Sequence, residues 1–198
     1  MKVLIKGAGD LASGIACRLY HCGMDVVMTE IGIPTTVRRT VAFSPAIYEG
    51  IAEVEGIEGV RCDSLEEMVI AVAERKIPVL EDPECQLAME WRPDVVVDAI
   101  IAKKNLGTTI RDAKIVIGVG PGFTAGADCH CVVETKRGHD LGRVLWKGSA
   151  VPNTGVPGMI GGYAKERIIR ASGDGIFKGM CRIGDLVEKG QLLSLIHI

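Results

Sequence analysis

The chain has no apolar run approaching the roughly 20 residues that a membrane-spanning helix needs. It has no Cys-x-x-Cys pair, and aromatic side chains make up only 4% of its 198 residues. The first absence predicts a protein without a membrane segment. The second, in a chain of seven cysteines, argues against a disulfide framework, and no ligand pair has the spacing of a structural metal site, so no metal is expected. Few rings leave little for base stacking. A net charge of −2 supplies no cationic excess, so no nucleic-acid partner is expected. No secretion leader is expected: Met1-Lys2-Val3-Leu4-Ile5 runs straight into a glycine loop and reads as a first strand, which makes a cytoplasmic, soluble protein the default. What the chain does have is apolar residues, 47% of the total, enough to bury a real core in one domain or one and a half.

The first thirty residues hold the most specific pattern. Lys2-Val3-Leu4-Ile5-Lys6 reads as a strand and Gly7-Ala8-Gly9-Asp10-Leu11-Ala12 as a Gly-x-Gly-x-x-Ala turn. Leu11, Ile15 and Leu19 then recur at helical spacing until Gly23 stops the helix. Asp25-Val26-Val27-Met28-Thr29-Glu30 is a second strand ending in an acid. Gly7 takes the backbone angles of a tight strand-to-helix turn, Gly9 lets the main chain approach a pyrophosphate, and Ala12 keeps helix and strand close. Glu30 stands roughly 18 residues past Ala12, near the distance at which an acid takes ribose hydroxyls. Asp10 puts a negative charge near the pyrophosphate position, or else caps the helix. Arg38 and Arg39 follow Glu30 and invite a phosphate there instead.

Further along, Ser64-Leu65-Glu66-Glu67 matches a capping box and predicts a helix to about Arg75. Ile51 to Glu55 alternates like an edge strand or hairpin, Pro78-Val79-Leu80 is a short buried strand, and Cys85 to Trp91 a short helix. Asp94 to Asp98 and Lys114 to Val119 are apolar cores of the kind found in covered parallel sheets. The expected fold class is α/β: a Rossmann-like, doubly wound, mostly parallel sheet over residues 1–140. From Leu141 glycine and proline become frequent and β structure is expected. Gly184 to Leu193 resembles the turn-and-strand signature of lipoyl and biotinyl barrel-sandwich domains, so 141–193 is read as an incomplete, truncated segment of that type. Half a barrel leaves apolar strand edge exposed, and 194–198 is accordingly read as a foreign or truncated end.

Ligands in open α/β sheets bind beyond the carboxyl ends of strands. That rule adds Asp98, Gly120 and Gly122 to the candidate cofactor-binding residues. Asp98 could pair with Lys103 and Lys104, or those lysines could meet an anion. In Asp128-Cys129-His130-Cys131-Val132-Val133-Glu134, strand alternation turns Cys129 and Cys131 one way and Asp128, His130 and Glu134 the other. If this strand runs antiparallel from the Gly120–Gly126 loop, Asp128 and His130 land beside the nucleotide crevice, with His139 joining from the next turn. Asp128, His130 and His139 are the catalytic candidates, for proton transfer or ligand binding; a structural histidine bonded to a neighbouring acid is the alternative.

Four segments in order, Gly7 to Gly14, Pro34 to Val41, Gly120 to Gly126 and Glu134 to Arg143, together resemble the YqeB family of the selenium-dependent molybdenum hydroxylase system. The resemblance covers the chain to about Leu193. It implies a Rossmann-type region related to the XdhC-type maturation factors of xanthine dehydrogenase, followed by a barrel-sandwich segment. It also implies a bacterial accessory or maturation factor whose partners are a molybdenum hydroxylase or its maturation machinery, with a homodimer among the options. The cofactor expected on residues and resemblance together is NAD(P) or a molybdopterin-type cofactor. A self-sufficient NAD(P)-dependent oxidoreductase is the alternative, weakened by the lack of a Tyr-x-x-x-Lys or similar catalytic set.

Overall fold

The computed structural model describes residues 1–156 and 158–197. They fall into two compact units, Met1–Asn153 and Thr154–Ile198. The first unit begins with β1 (Lys2–Lys6), α1 (Asp10–His21) and β2 (Asp25–Glu30), as the opening pattern predicts. A single 3-10 turn at Arg39–Val41 leads to α2 (Ala46–Glu49), then to the hairpin of β3 (Ile51–Val54) and β4 (Ile57–Cys62). There follow α3 (Leu65–Ala73), β5 (Ile77–Glu81), α4 (Gln86–Glu90), β6 (Val95–Asp98), β7 (Ile115–Val119), β8 (Cys131–Val133) and β9 (Val144–Leu145).

These strands make one mostly parallel sheet in the order β3-β4-β5-β2-β1-β6-β7-β8-β9, with β3 and β9 antiparallel at its two edges. The chain fills one flank from β1 through β2, β4 and β5, then crosses β1 to fill the other from β6 onward. Buried strands alternate their side chains between two apolar layers. Val3, Ile5, Val26 and Met28 face α1 and the segment of Phe43 to Ile47, while Leu4, Val27, Leu80 and Val96 face α3, α4 and Trp91.

The helices form for local reasons. Ser64 caps α3 by accepting the Glu67 N–H at 3.2 Å, and the Glu67 carboxylate reaches back to the Asp63 N–H at 2.8 Å, so one free donor of the first turn and one just before the cap are satisfied. Helix α1 ends at Gly23, whose φ of +76° sustains the turn. Its buried face differs from the expected Leu11–Ile15–Leu19 stripe: Ala12, Ser13, Ala16 and Cys17 are buried, and Leu11 is exposed. Small side chains let the helix axis approach the sheet, which moves the larger ones to its flanks.

One expected strand direction is overturned. Strand β8 lies parallel to β7, pairing Ile117 with Cys131 and Val119 with Val133. The reason is at Gly118, where a Cβ would lie 2.5 Å from the Phe123 ring. Phe123 occupies that place, and the Gly120–His130 connection returns over the sheet face before β8 begins. The unit also extends past Asp140, because β8 and β9 pair and Glu134 holds the Val151 N–H at 2.7 Å.

The second unit contains a 3-10 turn at Lys165–Arg167 and an antiparallel pair, β10 (Ile176–Gly179) with β11 (Ser194–His197). The residues read as a foreign end thus supply β11, except Ile198, which lies outside the described residues. Val187 to Leu193 are irregular around a turn at Lys189 and Gly190, without the strand expected of a barrel-sandwich segment. The Arg182 N–H donates to the Asp185 carboxylate at 2.7 Å and the Glu188 N–H to Gln191 Oε1 at 2.9 Å, local bonds that compete with strand pairing. Among the described residues no helix is long and apolar enough to cross a membrane.

Candidate functional site

The carboxyl ends of β1, β2, β6, β7 and β8 gather the loops the sequence singles out. Gly7 leaves β1 with φ +94°, and a Cβ there would stand 3.0 Å from Ile100 Cα, so the chain leaving β6 packs directly on the turn. Its N–H donates to the Thr29 carbonyl at 2.9 Å. Gly9 is the N-cap of α1 and supplies no side-chain cap; a Cβ there would meet only Thr36 Oγ1, at 3.6 Å. The first turn of α1 therefore keeps its free N–H groups and the positive end of its dipole beside the segment of Thr36 and Arg38, an arrangement that holds anions. Ala12 is fully buried where α1 meets the sheet.

Glu30 is already attached to this loop. Its Oε2 accepts the Ala8 N–H at 3.0 Å and its Oε1 the Ile31 N–H at 2.9 Å. A carboxylate has about four acceptor sites, so both oxygens keep one for a further donor such as a ribose hydroxyl. Asp10, on the first turn of α1, forms an ion pair with Arg38. The acid that would repel a pyrophosphate is thereby neutralised, and the arginine is held against the helix start. Arg39 is exposed and makes no ion pair among the described residues.

Asp98, at the end of β6, bonds to neither Lys103 nor Lys104 among the described residues. Its Oδ1 accepts the Ile100 N–H at 3.3 Å and its Oδ2 the Thr108 hydroxyl at 2.6 Å. Both lysines are exposed, and Lys104 packs by its backbone against Gly122, where a Cβ would lie 2.7 Å away. Gly120 has φ +79° and meets the side chain of Thr135, its Cβ position 2.8 Å from Oγ1. The two glycines thus join the loops after β6, β7 and β8 side by side.

The catalytic candidates are not brought together. Asp128 accepts the Thr124 N–H at 2.7 Å inside its own loop. His130 Nδ1 accepts the Val116 N–H at 2.9 Å while its backbone N–H donates to the Val116 carbonyl at 2.8 Å. His130 therefore fixes the start of the β7–β8 pairing, at the amino edge of the sheet. His139 is exposed on the loop beyond the carboxyl end of β8, the opposite edge. Because β8 is parallel, the expected placement of Asp128 and His130 beside the crevice does not hold. Among the described residues no cluster of His, Cys, Asp or Glu is placed to hold a metal ion.

A set of side chains that the sequence reading passed over lies beneath the glycine loop. Lys6 Nζ donates to Thr108 Oγ1 at 2.7 Å, and Thr29 Oγ1 lies 3.4 Å from Cys85 Sγ. The signal for Lys6 was its position: a charge closing the strand directly after the apolar run Val3-Leu4-Ile5. Burial pushes the Cys85 thiol above its ordinary pKa, outweighing the Thr29 bond and the Lys6 charge that pull it down. Burial likewise raises Cys17, Cys129 and Cys131, and lifts Cys62 to about 11. These thiols stay protonated at neutral pH and are poor nucleophiles.

No family model matches the chain. No solved structure matches it either. Over 194 residues, 98% of its length, it is 49% identical to a curated protein of Escherichia coli strain K12 named "Uncharacterized protein YqeB". The chain spans 36% of that relative's length. Identity of this order along nearly the whole chain supports placing it in the YqeB family.

Proposed function

We propose that the chain binds a nucleotide-bearing ligand at the Gly7–Asp10 turn, as an accessory factor in maturing the molybdenum centre of a selenium-dependent molybdenum hydroxylase. The observation that carries the ligand reading is the uncapped first turn of α1 beside Glu30, whose carboxylate is anchored on Ala8 N–H with acceptor capacity to spare. In this reading the N–H groups of α1 hold the pyrophosphate, Glu30 holds the ribose diol, and Arg39 adds charge at the rim. The fold is then a Rossmann-type crevice, with the ligand either NAD(P) or a molybdopterin dinucleotide. The pathway rests on the family resemblance. That Asp128, His130 and His139 do not converge favours a carrier over a self-sufficient oxidoreductase.

Calorimetric titration with ADP, NADH, NADPH and a molybdopterin dinucleotide tests the ligand. Binding weakened about tenfold or more by Glu30→Ala is expected; a wild-type protein that takes none of the four overturns the reading. For the pathway, deleting the gene should abolish the selenium-dependent hydroxylase activity while its polypeptide is still made.

A further inference from the structure

The loop that leaves β6 crosses the carboxyl edge of the sheet in an uncommon backbone conformation. Over residues 100–104, φ is positive at Ile101 (+59°) and Lys103 (+63°) and negative at Ile100, Ala102 and Lys104. A non-glycine residue at positive φ is unusual, and a β-branched one is an outlier that the surrounding structure must enforce. The means of enforcement are on both sides of the segment. Asp98 Oδ1 accepts the Ile100 N–H at 3.3 Å, and the Ile101 side chain packs on the apolar layer of α1. Gly122 braces Lys104, its Cβ position lying 2.7 Å from the lysine's backbone N. Asn105 then ties off the loop by accepting the N–H groups of Gly107 and Thr108.

Alternating signs of φ turn successive N–H groups toward one side, which makes a concavity of donors that binds anions. The N–H groups of Ile101, Ala102 and Lys103 have no acceptor among the described residues. Nor is the segment packed over: Ile101 and Ala102 are half-buried, and Lys103 and Lys104 are exposed. Neither lysine makes an ion pair among the described residues. The nearest acid along the chain, Asp98, is already met by Lys6 through Thr108. On the other side of the Gly122 loop, Gly120 abuts Thr135 and the chain runs on into Lys136 and Arg137, both exposed. Free donors and charge of one sign therefore meet at this edge of the sheet.

We propose that residues 101–104 are a cradle for a phosphoryl group, the three free N–H groups taking its oxygens and Lys103 and Lys104 balancing its charge. The chemical class is a dianionic, tetrahedral oxyanion, either inorganic phosphate or the terminal phosphate of a small phosphorylated ligand. A carboxylate, with two oxygens and one charge, matches three donors and two ammonium groups less well. The cradle does not depend on the nucleotide reading, since it lies on the β6 loop and not on α1. The two are neighbours all the same, because a Cβ at Gly7 would lie 3.0 Å from Ile100 Cα.

Backbone amide NMR tests the two places separately. Inorganic phosphate and ADP are titrated at constant ionic strength into the wild-type chain, Lys103→Gln, Lys104→Gln and Lys147→Gln, each variant's fold being read from its own spectrum. Phosphate is expected to move the amides of Ile101, Ala102 and Lys103 along one saturable curve. That binding should weaken about tenfold in Lys103→Gln and in Lys104→Gln. It should be unchanged in Lys147→Gln, which removes the same charge from an exposed position just past β9. ADP identifies the source of the phosphoryl group. If ADP moves the same three amides, the cradle takes a nucleotide's terminal phosphate; if only inorganic phosphate does, it serves a separate phosphorylated ligand. Amides of 101–103 that stay still with both probes overturn the cradle, as does a loss in Lys103→Gln and Lys104→Gln no greater than in Lys147→Gln. ADP that leaves the amides of Asp10, Leu11 and Ala12 unmoved sinks the nucleotide reading alone.

Discussion

Glu134 organises a loop while taking no part in the candidate site. It is 3% exposed, and its Oε1 accepts the N–H groups of Thr135 and Lys136 at 2.8 and 2.7 Å while its Oε2 accepts that of Val151. Burial alone would raise its pKa; the three N–H bonds and the Lys136 charge outweigh it and leave the carboxyl below the ordinary 4.5 of a glutamate. The sign of the pH dependence follows. A carboxyl whose folded pKa is depressed contributes stability that is complete above its unfolded value and is lost as pH falls through the folded one. Urea melts between pH 7 and pH 3 should show that loss beginning below about 4.5, the ordinary glutamate value. Glu134→Gln should flatten it and cost about 1–3 kcal/mol at pH 7. A variant with the wild-type acid profile would refute the account.

At the scale of elements, the loops after β6, β7 and β8 are interlocked, Gly122 against the Lys104 backbone and Gly120 against the Thr135 side chain. Gly122 has φ +116° and would place a Cβ 2.7 Å from the Lys104 backbone, whereas Gly126, at φ +87°, faces open space. Both substitutions to alanine are strained, by about 1–2 kcal/mol for the conformation alone. Gly122→Ala adds a clash worth about 1–3 kcal/mol more. Denaturant unfolding of the two variants separates the terms: equal losses would show that the loops are not locked there. The glycines of this loop were legible in the sequence, as were β1 to α1, the Ser64 cap and the strands at Pro78 and Val95, because each rests on a short-range pattern. The direction of β8 was not. It depends on Phe123 filling the space over Gly118, a contact that alternation along one strand does not encode, and the misplacement of Asp128 and His130 followed from it. The Lys6–Thr108–Asp98 chain was hidden for a similar reason: its three members come from three separate segments, brought together by the pairing of β1 with β6 and by the loop that carries Thr108.

At the scale of the molecule, the two units differ in how they are built. Met1–Asn153 has two apolar layers around one sheet, whereas the described side chains of Thr154–Ile198 are almost all exposed and its strands form a single pair. Limited proteolysis should therefore cut first beyond Asn153 and leave a fragment that still unfolds cooperatively. First cuts within the sheet unit, or a fragment that melts without cooperativity, would contradict that division. The sheet order also sets a schedule for synthesis. Strand β1 is made before either neighbour, yet it ends between β2 and β6, and Val3 does not meet Val95 until the whole stretch between them has been made. At ordinary translation speeds that leaves the central strand with one open edge for on the order of ten seconds. During that interval Leu4 and Ile5 are exposed to any other unpaired strand in the cell, so the nascent chain is the form most in need of a chaperone.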